Sequence, residues 1–186
     1  MDVEGGLELT EECRYHVKID GKLLPGQTFV SKPGRLPCKA VIHAVGPMWR
    51  GGNRDEENKL YAAVLQSMQD AAERGYQTIA IPAISAGVFK FPTERAIEII
   101  LTASRDYLTD PSGTCLKEVH IVDNDPQVMS HFETQLKSMT IPSGPGAEEG
   151  HPESVTRRTR VTKNDELTEN ASGEFTLYIV AYSFVK

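Results

Sequence analysis

The sequence is poor in features that mark several common protein classes. Only three cysteines occur among 186 residues, at positions 13, 38 and 115, and no two form a CxxC pair. This spacing argues against a disulfide framework or a metal site and indicates reduced thiols, so we expect a cytoplasmic and/or nuclear protein. No apolar run reaches the ~18–20 residues of a membrane-spanning helix, and no secretory leader follows Met1. The sequence therefore predicts no membrane partner.

Several ligand-binding and catalytic signatures are also missing. Twenty Lys and Arg residues against 26 Asp and Glu residues give a net charge of −6, which argues against a nucleic acid partner. Neither GxGxxG nor a Walker Lys-Ser/Thr sequence occurs, which excludes the two commonest phosphate loops. The absence of GxSxG leaves Ser85 outside a nucleophile elbow, so a backbone role is favoured over nucleophilic attack.

The composition divides the chain into three regions. Residues 1–139 carry regular apolar patterns. Residues 140–170 contain no aromatic residue and several Pro and Gly residues, so they cannot bury enough surface to fold and are predicted to be a disordered linker. Residues 171–186 become apolar again and form a tail with strand character, because apolar residues alternate from Phe175 onward. Nothing in the sequence specifies a register for this tail, so we expect it to be loose rather than docked.

The first region alternates between helical and strand patterns. Short apolar strands separated by helices are typical of a three-layer α/β/α sandwich with a mixed, largely parallel sheet. The predicted helices are 7–17, 55–73, 92–108 and 126–137, and the predicted strands are 26–31, 39–45, 78–81 and 118–122. In the second strand, His43 has apolar neighbours, which favours a core or rim histidine over a catalyst.

The stretch from Ile81 to Phe89 is the best candidate for a ligand site. A buried strand ends there, small residues follow, and a helix begins shortly afterwards. Open α/β sheets bind ligands just beyond the carboxyl ends of their strands. The small residues Ser85, Ala86 and Gly87 would let backbone N–H groups approach an oxyanion closely. The alternative interpretation is a plain connection between a strand and a helix.

Two motifs together resemble a known family. The loop 82–89 (PAISAGVF) and the earlier stretch 41–47 (VIHAVGP) are similar to those of macrodomains, in particular macrodomains of vertebrate mono-ADP-ribosyltransferases that carry several such modules. The resemblance covers roughly residues 5–139. It implies an ADP-ribose-binding module that recognises ADP-ribose or mono-ADP-ribosylated protein. Neither a cofactor nor a metal is implied, since NAD belongs to the transferase domain of the parent family.

The resemblance also implies which residues bind. In the family, the loop that matches Ser85, Ala86, Gly87, Val88 and Phe89 wraps the diphosphate of ADP-ribose with its backbone amides. The aromatic residue that matches Phe89 lies near the proximal ribose. The residue that ends the last core strand lies near the adenosine, and here it is Asp123. No catalytic residue is assigned.

The chain departs from the family pattern at its start. Macrodomains begin with two strands and a Gly-rich loop, for which this sequence has no N-terminal counterpart, so residues 1–139 are interpreted as a partial macrodomain from a fragment or isoform. One of those strands normally lies between the strands matched here by 78–81 and 39–45. We therefore expect either that these two strands pair directly or that the sheet is split. Half of the diphosphate site would be missing, which predicts weakened binding.

Three functions remain open at this point. The favoured one is an ADP-ribose-binding module without enzymatic activity. The second is an ADP-ribosyl hydrolase, or part of an NAD-dependent protein ADP-ribosyltransferase, although the sequence leaves no room for the transferase domain. The third is a structural remnant that binds no ligand.

Overall fold

The computed structural model describes residues 2–110, 112, 114–140, 158–161 and 177–181. The described chain contains four helices and six strands. Their order is α1 (Asp2–Ile19), β1 (Thr28–Ser31), β2 (Val41–Ala44), α2 (Glu56–Glu73), β3 (Thr78–Ile81), α3 (Thr93–Thr109), β4 (Glu118–Ile121), α4 (Pro126–Thr140), β5 (Arg158–Val161) and β6 (Leu177–Ala181). No helix in the described ranges is long and apolar enough to cross a membrane.

The strands form one mixed sheet in the order β1-β2-β6-β3-β4-β5. The edge strand β1 runs antiparallel to β2, with Thr28 opposite Ala44. The other neighbouring strands are parallel. The carboxyl ends of β2, β6, β3 and β4 therefore share one edge of the sheet, where ligands bind in open α/β folds.

Helices cover both faces of the sheet, which confirms the predicted three-layer α/β/α sandwich. Successive residues of a strand point to opposite faces. Ile42 of β2 packs with α2 and α3, whereas Val41 joins Leu9 of α1 in a separate cluster on the other face. The larger core contains fully buried residues from α2, α3, α4 and the sheet: Leu60, Val64, Met68, Ile79, Ile81, Ile97, Ile100 and Phe132.

Strand β6 occupies the centre of the sheet, where the sequence analysis predicts either direct pairing or a split. It pairs with β2 through four residues, from Val41 opposite Tyr178 to Ala44 opposite Ala181. Its other side pairs with β3, where Ile79 lies opposite Leu177. Neither predicted arrangement is found, and the expectation of a loose tail is wrong for residues 177–181. Five consecutive apolar residues are typical of a strand covered on both faces, a signal that the alternation argument overlooks.

Strand β5 lies inside the interval 140–170, for which the sequence predicts disorder. It pairs in parallel with β4, from Glu118 opposite Arg158 to Ile121 opposite Val161. The prediction is wrong for these four residues, because an edge strand needs only one partner and tolerates charged side chains. The rest of that interval, and residues 171–176 and 182–186 of the predicted tail, lie outside the described residues.

Candidate functional site

The candidate site is formed by three loops that follow β2, β3 and β4 at the carboxyl edge of the sheet. The loop after β3 is joined to the chain after β4 by two hydrogen bonds. The N–H of Val122 donates to the carbonyl of Ile81 at 3.1 Å, and the N–H of Ala83 donates to Asp123 Oδ2 at 3.3 Å. The loop after β2 is joined to it by the N–H of Trp49, which donates to the carbonyl of Phe89 at 2.9 Å.

Four backbone N–H groups of the loop after β3 make no hydrogen bond to any residue in the described ranges. They belong to Ser85, Gly87, Val88 and Phe89. Backbone donors without a protein partner bond to water or to a ligand. Successive N–H groups in a tight turn form a concave site for an anion. The arrangement can therefore bind a diphosphate through its backbone, without a Walker lysine.

Hydrogen bonds within the loop fix this backbone. The N–H of Phe91 donates to the carbonyl of Ser85 at 3.1 Å, and the N–H of Lys90 donates to that of Gly87 at 2.9 Å. Ser85 and Lys90 adopt the left-handed region with φ of 68° and 53°. Non-glycine residues in this region cost of order 1 kcal/mol or more and persist where the surroundings impose them, often at ligand sites. The loop is thus held in a defined conformation by its own contacts.

The side chain of Ser85 lies between the two loops rather than in a catalytic arrangement. Ser85 is only 8% exposed, and its Oγ has no hydrogen-bond partner among the described residues. An added Cβ at Gly46 would lie 2.1 Å from Ser85 Oγ and 2.6 Å from Ile84 Cγ2. The loops after β2 and β3 therefore meet in close contact although β6 separates the two strands. Since no described acid or base contacts Ser85 Oγ, the geometry favours a backbone role for this residue.

Ala86, Gly87 and Val88 form the outer part of the loop. Gly87 and Val88 are exposed, whereas Ala86 is half-buried. The φ of Gly87 lies outside the left-handed region, and an added Cβ there would contact nothing within 4 Å. The N–H of Gly87 is therefore accessible, and its backbone conformation is one that other residues adopt.

Two further predicted residues lie beside the loop. Asp123 is half-buried and accepts hydrogen bonds through both carboxylate oxygens, from Ala83 N–H at 3.3 Å and from Asp125 N–H at 3.0 Å. Phe89 is half-buried, and its carbonyl is held by Trp49. The six residues assigned from the resemblance thus lie in one connected region, and their contacts to a ligand stay a prediction.

The sequence analysis missed Glu56, which orders the loop after β2. This residue is 2% exposed, and its carboxylate accepts backbone N–H donors from Arg50 at 3.0 Å and Arg54 at 2.6 Å. Burial raises the pKa of the carboxyl group, but hydrogen bonds from the backbone of Arg54, Glu56, Arg50 and Gly52 lower it overall. The available signal was an acidic residue in the first turn of a helix, where the helix dipole favours negative charge.

His43 lies within β2, between β1 and β6, and not in a loop. Its ring is buried, with Nε2 at 2.7 Å from Ser31 Oγ and at 3.6 Å from Cys13 Sγ. Burial, with a smaller contribution from the charge of His16, lowers its pKa from 6.5 to about 4. A neutral, hydrogen-bonded core histidine is what the sequence indicated.

Other features of the described chain do not converge on the predicted site. A cavity of about 560 Å³ lies between α2 and α3 and is lined by residues such as Tyr61, Asp106 and Thr114, none of which belongs to the predicted set. Within the described ranges, no group of three or more His, Cys, Asp or Glu residues could hold a metal ion.

Comparisons with known proteins find similar sequences and similar structures. The family model for the Macro domain matches residues 2–100. A macro domain-containing protein of Caldanaerobacter subterraneus is 41% identical over 135 residues, which cover 71% of this chain and 75% of that relative. The human protein mono-ADP-ribosyltransferase PARP14 is 40% identical over 136 residues, or 72% of this chain. The chain spans only 8% of PARP14 and 22% of a similar uncharacterized protein of Thermotoga maritima.

Solved structures are similar over most of the described chain. A mutant macrodomain of Oceanobacillus iheyensis, solved with ADPR, matches with a TM-score of 0.66 and 25% sequence identity. The match covers 73% of each chain.

The expectation that the chain has no enzymatic activity is contradicted by another group of relatives. The O-acetyl-ADP-ribose deacetylase of Citrobacter rodentium is 44% identical over 104 residues, which cover 56% of this chain and 59% of the enzyme. Deacetylases of the same name from Enterobacter sp. and Escherichia fergusonii are 42% and 41% identical over the same length. The sequence analysis favoured a binding module because no catalytic residue could be assigned, whereas similarity to these enzymes extends over more than half of the chain.

Proposed function

This chain belongs to the macrodomain family, and from that premise we propose that it binds ADP-ribose through the loop after β3. The observation that carries the proposal is the set of N–H groups at Ser85, Gly87, Val88 and Phe89 that have no partner among the described residues. Each hydrogen bond to a charged group is worth about 1.5–3 kcal/mol, so several such bonds to a diphosphate would supply useful affinity without a cationic side chain.

The position of the loop supports the same function. It follows a central strand at the carboxyl edge of the sheet, where α/β folds bind nucleotides. Asp123 and Phe89 flank it, so polar and aromatic groups are available for the adenosine and ribose parts of the ligand. The structure of the Oceanobacillus iheyensis relative with ADPR supports the ligand class.

We propose further that the ligand is ADP-ribose attached to protein as well as free ADP-ribose. The similarity to PARP14, whose name is that of a protein mono-ADP-ribosyltransferase, supports this partner class. The exposed outer part of the loop, at Gly87 and Val88, leaves room for a bulky substituent on the ligand.

Isothermal titration calorimetry of the full chain with ADP-ribose and with AMP tests the binding function. We expect saturable binding of ADP-ribose and at least about tenfold weaker binding of AMP, because AMP lacks one of the two phosphates that the amides would bind. Equal affinity for the two ligands, or no heat with ADP-ribose, would contradict the proposal. The predicted weakening relative to other macrodomains stays a prediction that the same titration measures.

A second candidate function is O-acetyl-ADP-ribose deacetylation. It is favoured by the three deacetylases that are 41–44% identical to this chain over 104 residues. In that reaction water attacks the ester carbonyl, and acetate and ADP-ribose are released. Incubating the full chain with O-acetyl-ADP-ribose and following acetate by NMR tests it. Acetate release faster than in buffer alone, and lost in Gly87→Glu, would support deacetylation at this site. Release at the buffer rate would rule out this second function.

A further inference from the structure

The buried carboxylate of Glu56 organises a loop that contacts the candidate site without being part of it. Glu56 begins α2, and its two oxygens accept N–H donors from Arg50 and Arg54, at opposite ends of the turn before the helix. Lys59 Nζ donates to the carbonyl of Arg54 at 2.5 Å and braces the same turn. Since both oxygens act on backbone groups, Glu56 fixes the path of the main chain from Arg50 to Arg54.

Trp49 connects this turn to the loop after β3. Its indole ring packs on Phe91, with ring centroids 4.7 Å apart and planes tilted by 59°. Its backbone N–H donates to the carbonyl of Phe89, the last of the residues predicted to wrap the diphosphate. Gly52 packs beneath the ring, because an added Cβ there would lie 3.2 Å from Trp49 Cη2. The position of Trp49 therefore depends on the turn that Glu56 holds.

We propose that Glu56 is a positioning residue for ADP-ribose binding, acting through Trp49 on the backbone of Phe89. The inference rests on the proposed function, since the affected loop is the one assigned to the diphosphate. Glu56 does not need to touch the ligand. Its carboxylate keeps the Arg50–Arg54 turn in place, the turn keeps Trp49 against Phe91, and Trp49 holds the carbonyl of Phe89.

The neighbouring residue Glu57 provides a matched control. Glu57 is also acidic and in the first turn of α2, but its carboxylate is half exposed and pairs with the Arg95 guanidinium at 2.7 Å. Within the described part of the chain its carboxylate bonds to Arg95, on α3, and not to the turn before the helix or to Trp49. Glu57→Gln therefore changes the charge and the helix start as Glu56→Gln does, without removing an acceptor from the turn.

The substitution Glu56→Gln keeps the size of the side chain but replaces one acceptor oxygen by an NH₂ donor. One of the two backbone N–H groups would then face another donor and lose its partner. Because Trp49 is the only tryptophan of the chain, its fluorescence reports on this turn directly and without a ligand.

The experiment measures Trp49 emission and ADP-ribose affinity in the full chain and in Glu56→Gln and Glu57→Gln. We expect a red-shifted emission and at least about tenfold weaker binding in Glu56→Gln alone, with thermal melting that remains cooperative. If Glu56→Gln lowers the melting temperature but leaves emission and affinity unchanged, its role is structural and the proposal is overturned. Should Glu56→Gln fail to fold, Glu56→Asp, which keeps both oxygens on a shorter stem, replaces it under the same criteria.

Failure of the proposed function gives a different result. If the unsubstituted chain does not bind ADP-ribose, the proposed function is wrong and the affinities of the variants cannot be compared. The emission of Trp49 in Glu56→Gln then still decides whether Glu56 positions the loop, since that measurement needs no ligand. An unchanged emission overturns the positioning inference in either case.

Discussion

The centre and the far edge of the sheet are both completed by strands from beyond residue 140, yet the two strands have different consequences. Strand β6 has neighbours on both sides, β2 and β3, whereas β5 pairs only with β4. Two of the three loops that form the candidate site follow β2 and β3, the neighbours of β6, and contact each other through Gly46 and Ser85. The candidate site therefore depends on the central strand β6, whereas β5 only widens the sheet at its edge.

The largest expected effect is that of a proline in the central strand. Ile179→Pro removes a backbone N–H and a ladder position opposite Ile42. We expect the free energy of unfolding to fall by about 3 kcal/mol or more, a large share of a typical 5–15 kcal/mol. Urea unfolding followed by circular dichroism measures this. If the variant unfolds at the same urea concentration as the parent chain, β6 does not contribute to the folded sheet.

The next largest effect is a loss of stability at low pH, caused by His43 of β2, the strand beside β6. The pKa of His43 in the folded chain is about 4, below its ordinary 6.5, so the unfolded chain binds a proton first as the pH falls. The stability that neutral His43 contributes is complete above about pH 6.5 and is lost between there and about pH 4. By linkage the full loss amounts to about 3 kcal/mol.

His43→Gln provides the comparison for this pH effect, because it keeps a polar side chain but does not titrate. The free energy of unfolding is measured for both chains near pH 7 and near pH 4.5. We expect the advantage of the parent chain over His43→Gln to shrink by about 2 kcal/mol at the lower pH. Carboxylates titrate in both chains alike, so they cancel in this difference. A difference that does not change with pH would mean that His43 is not buried in its neutral form.

A smaller effect is expected where the two central loops touch. Gly46→Ala would place a Cβ at 2.1 Å from Ser85 Oγ and 2.6 Å from Ile84 Cγ2, so the loops must separate. Overpacking of this kind costs about 1–3 kcal/mol. The thermal melting temperature and the ADP-ribose affinity should both fall. Gly87→Ala is the matched control for stability, since its Cβ meets nothing within 4 Å, and equal destabilisation by the two substitutions would refute the contact.

The smallest effect is expected at the edge of the sheet. Thr159→Pro alters β5, which has a single neighbour and pairs Thr159 with Val119 of β4. Edge strands tolerate proline, so the loss should stay below about 1 kcal/mol. The same urea unfolding experiment applies. A loss as large as that of Ile179→Pro would remove the distinction between centre and edge.

Much of the fold in residues 2–140 follows from local patterns. Helix α4 begins at Pro126, and β3 spans Thr78–Ile81, as predicted, because buried stripes and flanking turn residues specify these elements locally. The two later strands could not be predicted in the same way. Nothing near β6 in sequence specifies its register, which is set by β2 and β3, more than ninety residues earlier in the chain. Strand β5 lies in a segment without aromatic residues and rich in Pro and Gly, which predicted disorder.

The candidate site was predictable in position but not in detail. The small residues after β3 indicated a loop for an anion, and the structure leaves four of its N–H groups without a described partner. The left-handed conformation in this loop lies at Ser85 rather than at Gly87, whose φ lies outside that region. The contributions of Gly46 and Glu56 depend on contacts between loops, which spacing along the sequence does not reveal.

The most direct test of the central claim is calorimetric titration of ADP-ribose into the full chain and into Gly87→Glu. The new side chain adds bulk and negative charge beside the amides proposed to bind the diphosphate, without a clash in the folded loop. Ser138→Glu, which adds the same charge at an exposed position near the end of α4, serves as the control. We expect Gly87→Glu to weaken binding by at least about tenfold while Ser138→Glu binds like the parent chain. Unchanged binding by Gly87→Glu would contradict the assignment of this loop to the diphosphate.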